Sequence, residues 1–436
     1  MFKLIVAISI FLLATVHLCN KKPSKPNIIL IMADDLGYEG LSVNGCVNWD
    51  TPTLDSLAQN GLSFTNCFSQ PKCTPSRVKI LSGQYNIRNY KGFGYLDTNI
   101  YTIGNLAKDS GYRTCVVGKW QLNGSSTGAI IRDDYQDRNR PIHFGFDEFC
   151  LWQLTKKREE GERYSNPLLE TNHGIIQADE DDYGPALFLD YIKNFLEEKS
   201  NKPFFLYYPM ALPHSPFEPT PKTKSWQVDS LRSEDNIVNF PSMVRYIDDQ
   251  VKGILEILEI NNLSNTVIIF TSDNGTDPRI RTMTKNGSLR GGKGRMANAG
   301  THVPLIVYWD NVITTGNSVD YLVDFTDIFP TIQDLVRKQP KFKSDGKSLR
   351  PLMVGEAYNE KKNIFISYKD RIYKDSDHEG SFCRNKRFKL YNDGRFFDLK
   401  LDVLERHPIL KKSKHSDIRK ELAECLSTRQ AIIEEQ

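Results

Sequence analysis

Four short apolar runs in this chain each lead into side chains that can bind charge. Ile28 to Met32 runs into Ala33-Asp34-Asp35, Cys115 to Val117 into Gly118-Lys119-Trp120-Gln121, Phe204 to Tyr208 into Pro213-His214, and Thr266 to Phe270 into Ser272-Asp273-Asn274. Asp34, Asp35, Asp273 and the amide oxygen of Asn274 form an all-oxygen set with three formal negative charges, the ligand chemistry of a hard divalent cation. Calcium is the expected ion and magnesium the alternative; zinc would want adjacent histidine or thiolate, and neither is present. A further segment, Cys73-Thr74-Pro75-Ser76-Arg77, sets a thiol just before a proline that the first turn of a helix tolerates. Free N–H groups and the helix dipole favour an anion there, so Cys73 reads as an activated thiolate or as a small core residue.

Those residues need a scaffold that brings distant strand ends together. Helical stretches separate the apolar runs: Thr53 to Asn60 after Pro52, Ile103 to Ser110 before Gly111, and a helix to about Ile260 that Ser242 is expected to cap. With a further run from Pro304 to Trp309, the pattern predicts an α/β architecture, a large and mostly parallel sheet flanked by helices. Such sheets bind ligands beyond the carboxyl ends of their strands. From about residue 346 shorter pieces follow, Ile364 to Tyr368, Arg387 to Tyr391 and Arg395 to Leu399. Asn392-Asp393-Gly394 between the last two is a hairpin signal. A small C-terminal domain is expected, an antiparallel sheet closed by a helix near Ser416 to Ser427. The resulting division is 27–345 for the catalytic domain and 346–436 for the C-terminal one. Thr155 to Asp182 and Phe217 to Asn236 lack periodicity and read as substrate-facing loops or surface insertions.

The chain has 436 residues, with 57 Lys and Arg against 54 Asp and Glu, a net +3 that argues against a nucleic-acid partner. Its 39% hydrophobic and 25% charged content excludes disorder as the main organisation. Leu4 to Val16, preceded by Lys3, is too short to span a bilayer and fits a secretory signal over 1–19, followed by a proline-broken linker over 20–26. The mature chain is therefore expected to lack a transmembrane helix and to be exported: periplasmic, secreted, or lipid-anchored through Cys19. Val16-His17-Leu18, however, lacks the small residues that lipid processing normally needs. The eight cysteines, Cys19, Cys46, Cys67, Cys73, Cys115, Cys150, Cys383 and Cys425, contain no C-x-x-C pair, and their pairing is not legible.

From residue 26 to about 406 the chain resembles the type I sulfatases, the formylglycine-dependent branch of the alkaline-phosphatase-like superfamily. Cys73-Thr74-Pro75-Ser76-Arg77 is similar to the motif whose cysteine is oxidised after synthesis to formylglycine. Asn27 to Asp35 with Gly37, and Phe270 to Gly275, resemble the two metal segments. Leu289-Arg290-Gly291-Gly292-Lys293-Gly294 resembles the lysine loop, with Gly300 to Pro304 in register behind it. Gly145 to Phe149 and Phe397 to Glu405 are further points of similarity. The resemblance implies a sulfuric ester hydrolase whose nucleophile is formylglycine at position 73, itself a metal ligand, and a maturation enzyme that makes it. Hydrated formylglycine has two hydroxyls on one carbon: one attacks sulfur, and the other later expels sulfate by collapse to the aldehyde. It further implies that Arg77 holds the nucleophile and the carboxylates, that Lys119 and Lys293 neutralise the sulfuryl oxygens, and that His214 protonates the leaving alcohol with Lys293. Substrate binding falls on Lys119, His214 and Lys293.

One position departs from the pattern. Relatives carry histidine where this chain has Gln121, and glutamine cannot accept a proton at neutral pH. Elimination by another group, a slow elimination step, or a catalytically silent sulfated-glycan binder all follow as readings, with a phosphonate or phosphodiester hydrolase as the other enzymatic one. A sulfated carbohydrate or polysaccharide is the expected substrate, with Trp152 and Trp226 as candidate sugar contacts or packing residues. His302 is expected to be structural or peripheral, and His143, just before Gly145, is within reach of a subsite as the lesser reading.

Overall fold

The four apolar runs form four adjacent strands at the centre of one ten-stranded sheet. The computed structural model describes residues 25–124, 135–156, 160–176, 178–313, 316–339, 344–369, 379–411 and 414–431. The expected signal segment, with Cys19, lies outside the described residues. In chain order the strands of this sheet are β1 (Asn27–Ala33), β2 (Leu62–Phe68), β3 (Arg113–Lys119), β4 (Glu148–Trp152), β5 (Leu169–Thr171), β6 (Gly174–Ile176) and β7 (Phe204–Pro209). A separate two-stranded hairpin lies between the eighth strand and the last two strands of the sheet. Thus β8 (Thr266–Ser272) precedes the hairpin β9 (Arg281–Thr284) and β10 (Gly287–Arg290), and β11 (His302–Trp309) and β12 (Asn317–Asp324) complete the sheet. The order is β12-β2-β11-β8-β1-β7-β3-β4-β5-β6.

Pairing is parallel from β8 through β1, β7 and β3 to β4, and between β12 and β2. β11 runs antiparallel to both of its neighbours. This reversal matters for the chemistry. β11 begins at the edge where β1 and β8 end, so the glycine-rich segment that precedes it reaches the same edge as the residues that follow them.

The strands are apolar on both faces because helices cover both. Ile28, Leu30 and Met32 pack with Leu81, Ile103, Leu106 and Ile332 on one side, and Ile29 and Ile31 with Leu54, Phe188, Val251 and Ile254 on the other. Full burial of each such side chain is worth about 1.5–3 kcal/mol before entropic costs. The helices Pro52–Asn60 and Ile103–Asp109 lie where their stop signals place them. The long helix starts at Phe240, not Ser242: Pro241 occupies its first turn, and Ser242 Oγ donates back to the Asn239 carbonyl instead of capping.

Neither aperiodic stretch is a plain surface insertion. Glu170, buried, accepts from the backbone and hydroxyl of Thr155, both at 2.7 Å, and β5 and β6 extend the sheet. The second stretch is closed by Asp235 accepting from the Phe217 N–H at 2.7 Å and by burial of Trp226. Side-chain hydrogen bonds such as these hold the described parts of both segments and leave no period to read.

The C-terminal sheet comprises β13 (Ile364–Tyr368), β14 (Gly380–Arg384), β15 (Phe388–Tyr391) and β16 (Phe396–Asp398), all antiparallel. Gly394 turns the last hairpin at φ 89°, a region that favours glycine. One face takes Leu422 and Leu426 of the helix Ser416–Gln430, while Ile364, Ile366 and Phe382 on the other join the main core. A disulfide joins Cys383 to Cys425, staple between sheet and helix, across a separation of 42 residues. Closing such a loop is worth about 4 kcal/mol on a chain-entropy basis. The double variant Cys383→Ala, Cys425→Ala is expected to melt several degrees lower with turnover per folded molecule retained; equal melting temperatures would show that the closure contributes nothing.

Candidate active site

Asp34 and Asp35 follow β1 directly, Asp273 and Asn274 follow β8, Lys119 ends β3, and His214 lies five residues beyond β7. Position 118 must be glycine: its φ is 125°, and a Cβ there would sit 2.1 Å from the Pro209 carbonyl oxygen of the neighbouring strand. Close strand approach thereby delivers Lys119. Cys73 opens the helix Cys73–Ser82, in which Gly83 supplies the left-handed C-terminal residue. Arg77, one turn along, is buried and points back to the strand ends.

Three ion pairs organise the site, two fully buried and the Lys293 pair partly exposed on its lysine side. Lys119 Nζ donates to Asp34 Oδ2 at 2.6 Å, Lys293 Nζ to Asp35 Oδ2 at 2.5 Å, and the Arg77 guanidinium to Asp273 Oδ2 at 3.0 Å. Arg77 also donates to the Lys119 carbonyl at 2.8 Å, and the Asp35 N–H to Asp273 Oδ1 at 3.0 Å. Burial opposes ionisation of Asp34, yet Lys119, Arg77 and Lys293 outweigh it and hold its carboxyl well below the usual range. Burial pushes Asp35 up against the pull of Lys293. Asp35 itself has φ 71°, a left-handed conformation costly for a non-glycine residue.

Two oxygens of the expected ligand set, Asp34 Oδ1 and Asn274 Oδ1, are buried without a hydrogen-bond partner among the described residues. The Asn274 amide is fixed by its nitrogen, which donates to Asp35 Oδ1 at 2.8 Å and to the Gly275 carbonyl at 3.0 Å, so its oxygen is the free end. Orphaned buried oxygens beside carboxylates fit a hard cation. Asp34, Asp35 and His214 also have potential ligand atoms within 4.8 Å of one another. The His214 Nε2, however, lies 2.8 Å from the Lys293 ammonium. That nitrogen accepts from the lysine, and its Nδ1 donates to the Ser215 carbonyl at 2.6 Å.

The Cys73 thiol is buried and contacts Gln121 Oε1 at 3.5 Å. Of the two readings of Cys73, thiolate or small core residue, its surroundings fit the second: burial pushes the thiol up, against the opposing Lys119 charge. Gln121, at φ 54°, is strained towards it. The structure thus brings Asp34, Asp35, Cys73, Arg77, Lys119, Gln121, His214, Asp273, Asn274 and Lys293 to one edge of the sheet.

His302 is stacked between Tyr38 and Phe68 with centroids at 4.2 and 5.0 Å, a packing residue. His143 lies at the surface paired with Asp137 at 2.9 Å. Trp152 and Trp226 are buried, so neither is available as a sugar platform. One residue escaped the sequence reading. Arg163 is buried over the Trp152 ring at 4.2 Å with a terminal nitrogen 3.0 Å from His214 Nδ1. Within the charged run from Lys156 to Arg163 it looks like any solvated arginine, and nothing in the sequence distinguishes it.

Fold and site together define an α/β scaffold that gathers carboxylates, their cationic partners and a buried thiol at one edge of its sheet. Residues 26–338 match the family pattern "Sulfatase", and residues 292–431 match "N-sulphoglucosamine sulphohydrolase, C-terminal". The chain belongs to the sulfatase family, a family of sulfuric ester hydrolases. It is 28% identical over 379 residues to N-acetylgalactosamine-6-sulfatase of Mus musculus, covering 76% of this chain and 67% of that enzyme. Its fold is similar to that of BT4656 in complex with its substrate D-glucosamine-2-N,6-O-disulfate, with TM-score 0.75, 21% identity, and coverage of 95% of this chain and 99% of that one. The phosphonate monoester hydrolase of Agrobacterium radiobacter shares the fold at TM-score 0.68 and 19% identity, covering 94% and 96%. Among the described residues no helix is long and apolar enough to cross a membrane.

Proposed function

We propose that this protein is an exported sulfatase that cleaves a sulfate ester on a carbohydrate, with formylglycine made from Cys73 as nucleophile and a calcium ion, or magnesium, beside it. The observation that carries the reading is the set of three ion pairs around Cys73, their carboxylates all buried, with two ligand oxygens that have no hydrogen-bond partner among the described residues. Asp34, Asp35, Asp273 and Asn274 would hold the cation, joined by an oxygen of modified residue 73; when bound, it acidifies the attacking hydroxyl and withdraws charge from the sulfuryl oxygens. Formylglycine, hydrated, supplies both the attacking hydroxyl and the one whose collapse frees sulfate.

The chain's own residues do the rest. Arg77 fixes Asp273 and the end of β3, so nucleophile helix and metal segment move as one body. Lys119 and Lys293 offer ammonium groups to the sulfuryl oxygens as the ester bond breaks. The proton for the leaving oxygen is held at Lys293 Nζ and shared with His214 Nε2. Gln121 accepts a hydrogen bond from residue 73 but no proton.

The carbohydrate assignment rests on relatives whose substrates are amino sugars. Export rests on the N-terminal sequence, and the division at 345/346 on the change from the ten-stranded to the four-stranded sheet. Mass spectrometry of the peptide spanning Cys73 from the native host, with parallel assays on sulfate and phosphate monoesters, tests the reading. Formylglycine with preferred sulfate release is expected; preferred cleavage of the phosphorus ester would favour the phosphonate-hydrolase reading.

Gln121 is the observation that favours a silent glycan binder. If elimination limits turnover, the parent shows a burst of alcohol followed by slow sulfate release, and Gln121→His raises the steady-state rate about tenfold or more. A parent with no burst and an unchanged Gln121→His rate would free Gln121 of any role in elimination. Binding of a sulfated glycan without any sulfate release would establish the binder.

A further inference from the structure

Lys293 stands in Gly291-Gly292-Lys293-Gly294, a stretch whose glycines give it little stiffness of its own. On its near side the backbone is tied at three points: the Gly291 N–H donates to the Ile280 carbonyl at 3.0 Å, the Lys293 N–H to the Thr276 carbonyl at 3.0 Å, and the Gly294 N–H to the Pro71 carbonyl at 2.7 Å. Three residues further on, the chain is gripped from a different part of the fold. Lys389 of β15 donates its ammonium to the Met296 carbonyl at 2.7 Å, and the Tyr391 hydroxyl oxygen lies 3.2 Å from the same carbonyl oxygen. Glu405 Oε1 accepts from the Asn298 N–H at 2.7 Å and from Lys389 at 2.9 Å, and Glu405 Oε2 accepts from Tyr391. Arg384 of β14 donates to Asn298 Oδ1 at 2.6 Å while its guanidinium lies 4.0 Å over the Phe68 ring.

These four side chains are buried, and none of them faces the three ion pairs of the active site. Two buried cations and one carboxylate form a costly arrangement unless every hydrogen bond is made. Glu405 moreover adopts φ 55° to bring its carboxylate in. Such an arrangement converges on one short segment, Met296 to Asn298, whose start lies at most about 10 Å along the chain from Lys293.

We infer that Glu405, Lys389, Tyr391 and Arg384 are positioning residues that set the placement of Lys293 from the C-terminal sheet. The inference rests on the assignment of Lys293 as a group that meets the sulfate and shares its proton with His214. The C-terminal sheet thereby completes the catalytic edge without contributing a side chain to it. A shift of about 1 Å in a catalytic group can cost on the order of 100-fold in rate, so loosening this grip acts on turnover while the main core stays packed.

The test is a double-mutant cycle on the matured, full-length enzyme with one sulfate ester. Glu405→Gln keeps the shape and removes the charge; Tyr391→Phe removes a single hydroxyl and serves if the first variant fails to fold. In the otherwise native enzyme, Glu405→Gln is expected to lower kcat about 10- to 100-fold per folded molecule, to change KM far less, and to displace the pH profile. In a Lys293→Ala background the same substitution is expected to cost nothing further, since groups acting through one residue are not additive. Glu405→Asp is expected to restore part of the rate. Equal losses with and without Lys293, or a lower melting temperature with unchanged kcat and pH profile, would overturn the inference. A matured parent without turnover would remove the functional reading and the inference together, whereas an active parent with additive losses would remove the inference alone.

Discussion

Replacing Cys73 by alanine is expected to abolish sulfate release, with a loss of about 10⁴-fold or more, while the sheet stays folded. The two halves of that expectation have separate causes. The thiol is buried, but its described side-chain bond is a weak one, to Gln121 at 3.5 Å. Alanine suits the first helical turn, so the stability cost is of the order of a small cavity, about 1–2 kcal/mol. Turnover has no such tolerance, because a methyl group cannot be oxidised to the aldehyde and offers no hydroxyl. The three ion pairs would still bind the ester, so the variant is expected to retain affinity for substrate. Cys73→Ser provides the sharper contrast: its hydroxyl can attack sulfur but has no second hydroxyl to expel sulfate. It is expected to release at most one equivalent of alcohol and no free sulfate. Steady-state sulfate release by Cys73→Ala at the parent's rate would exclude residue 73 as the nucleophile.

What the sequence made legible depended on how each element earns its stability. β1, β3, β7 and β8 are buried on both faces and therefore read as continuous apolar runs, and the residues after them could be named as a site. β2 and β12 were missed, since Leu62-Ser63-Phe64-Thr65-Asn66 and Asn317-Ser318-Val319-Asp320 alternate with polar residues towards the edge of the sheet. β5 and β6 have three residues each, too few to show a period. The two readings of Cys73 stayed open in the sequence because its complete burial, which pushes the thiol up, shows in no local pattern. Arg163 and Glu405 are long-range neighbours, 51 residues from His214 and 107 from Asn298 respectively, and these proximities arise only once the chain has folded.

The other large effect is expected at Asp273. Its carboxylate accepts from the Asp35 N–H through one oxygen and from Arg77 through the other, and all three groups are buried. Asp273→Ala leaves the Arg77 guanidinium with only Asp34 Oδ1, at 3.8 Å, as a carboxylate partner. Stranding a buried charge in this way costs about 3–5 kcal/mol. Asp273→Asn is the more informative change, because its amide oxygen can still accept from Asp35 and the substitution preserves volume. It removes one of three negative charges from the ligand set, so metal content and turnover are expected to fall together, turnover by about 100-fold or more. In the parent, calcium at about 100 times its Kd stabilises the fold by about 2.7 kcal/mol, which a thermal-shift titration reads independently of activity. That calcium-dependent rise in Tm is expected to shrink sharply in Asp273→Asn. A variant that keeps the full rise and full turnover would take Asp273 out of the metal site. Full activity of the parent after chelation and dialysis would go further, since three buried carboxylates and two unpartnered oxygens would then need a purpose other than holding a cation.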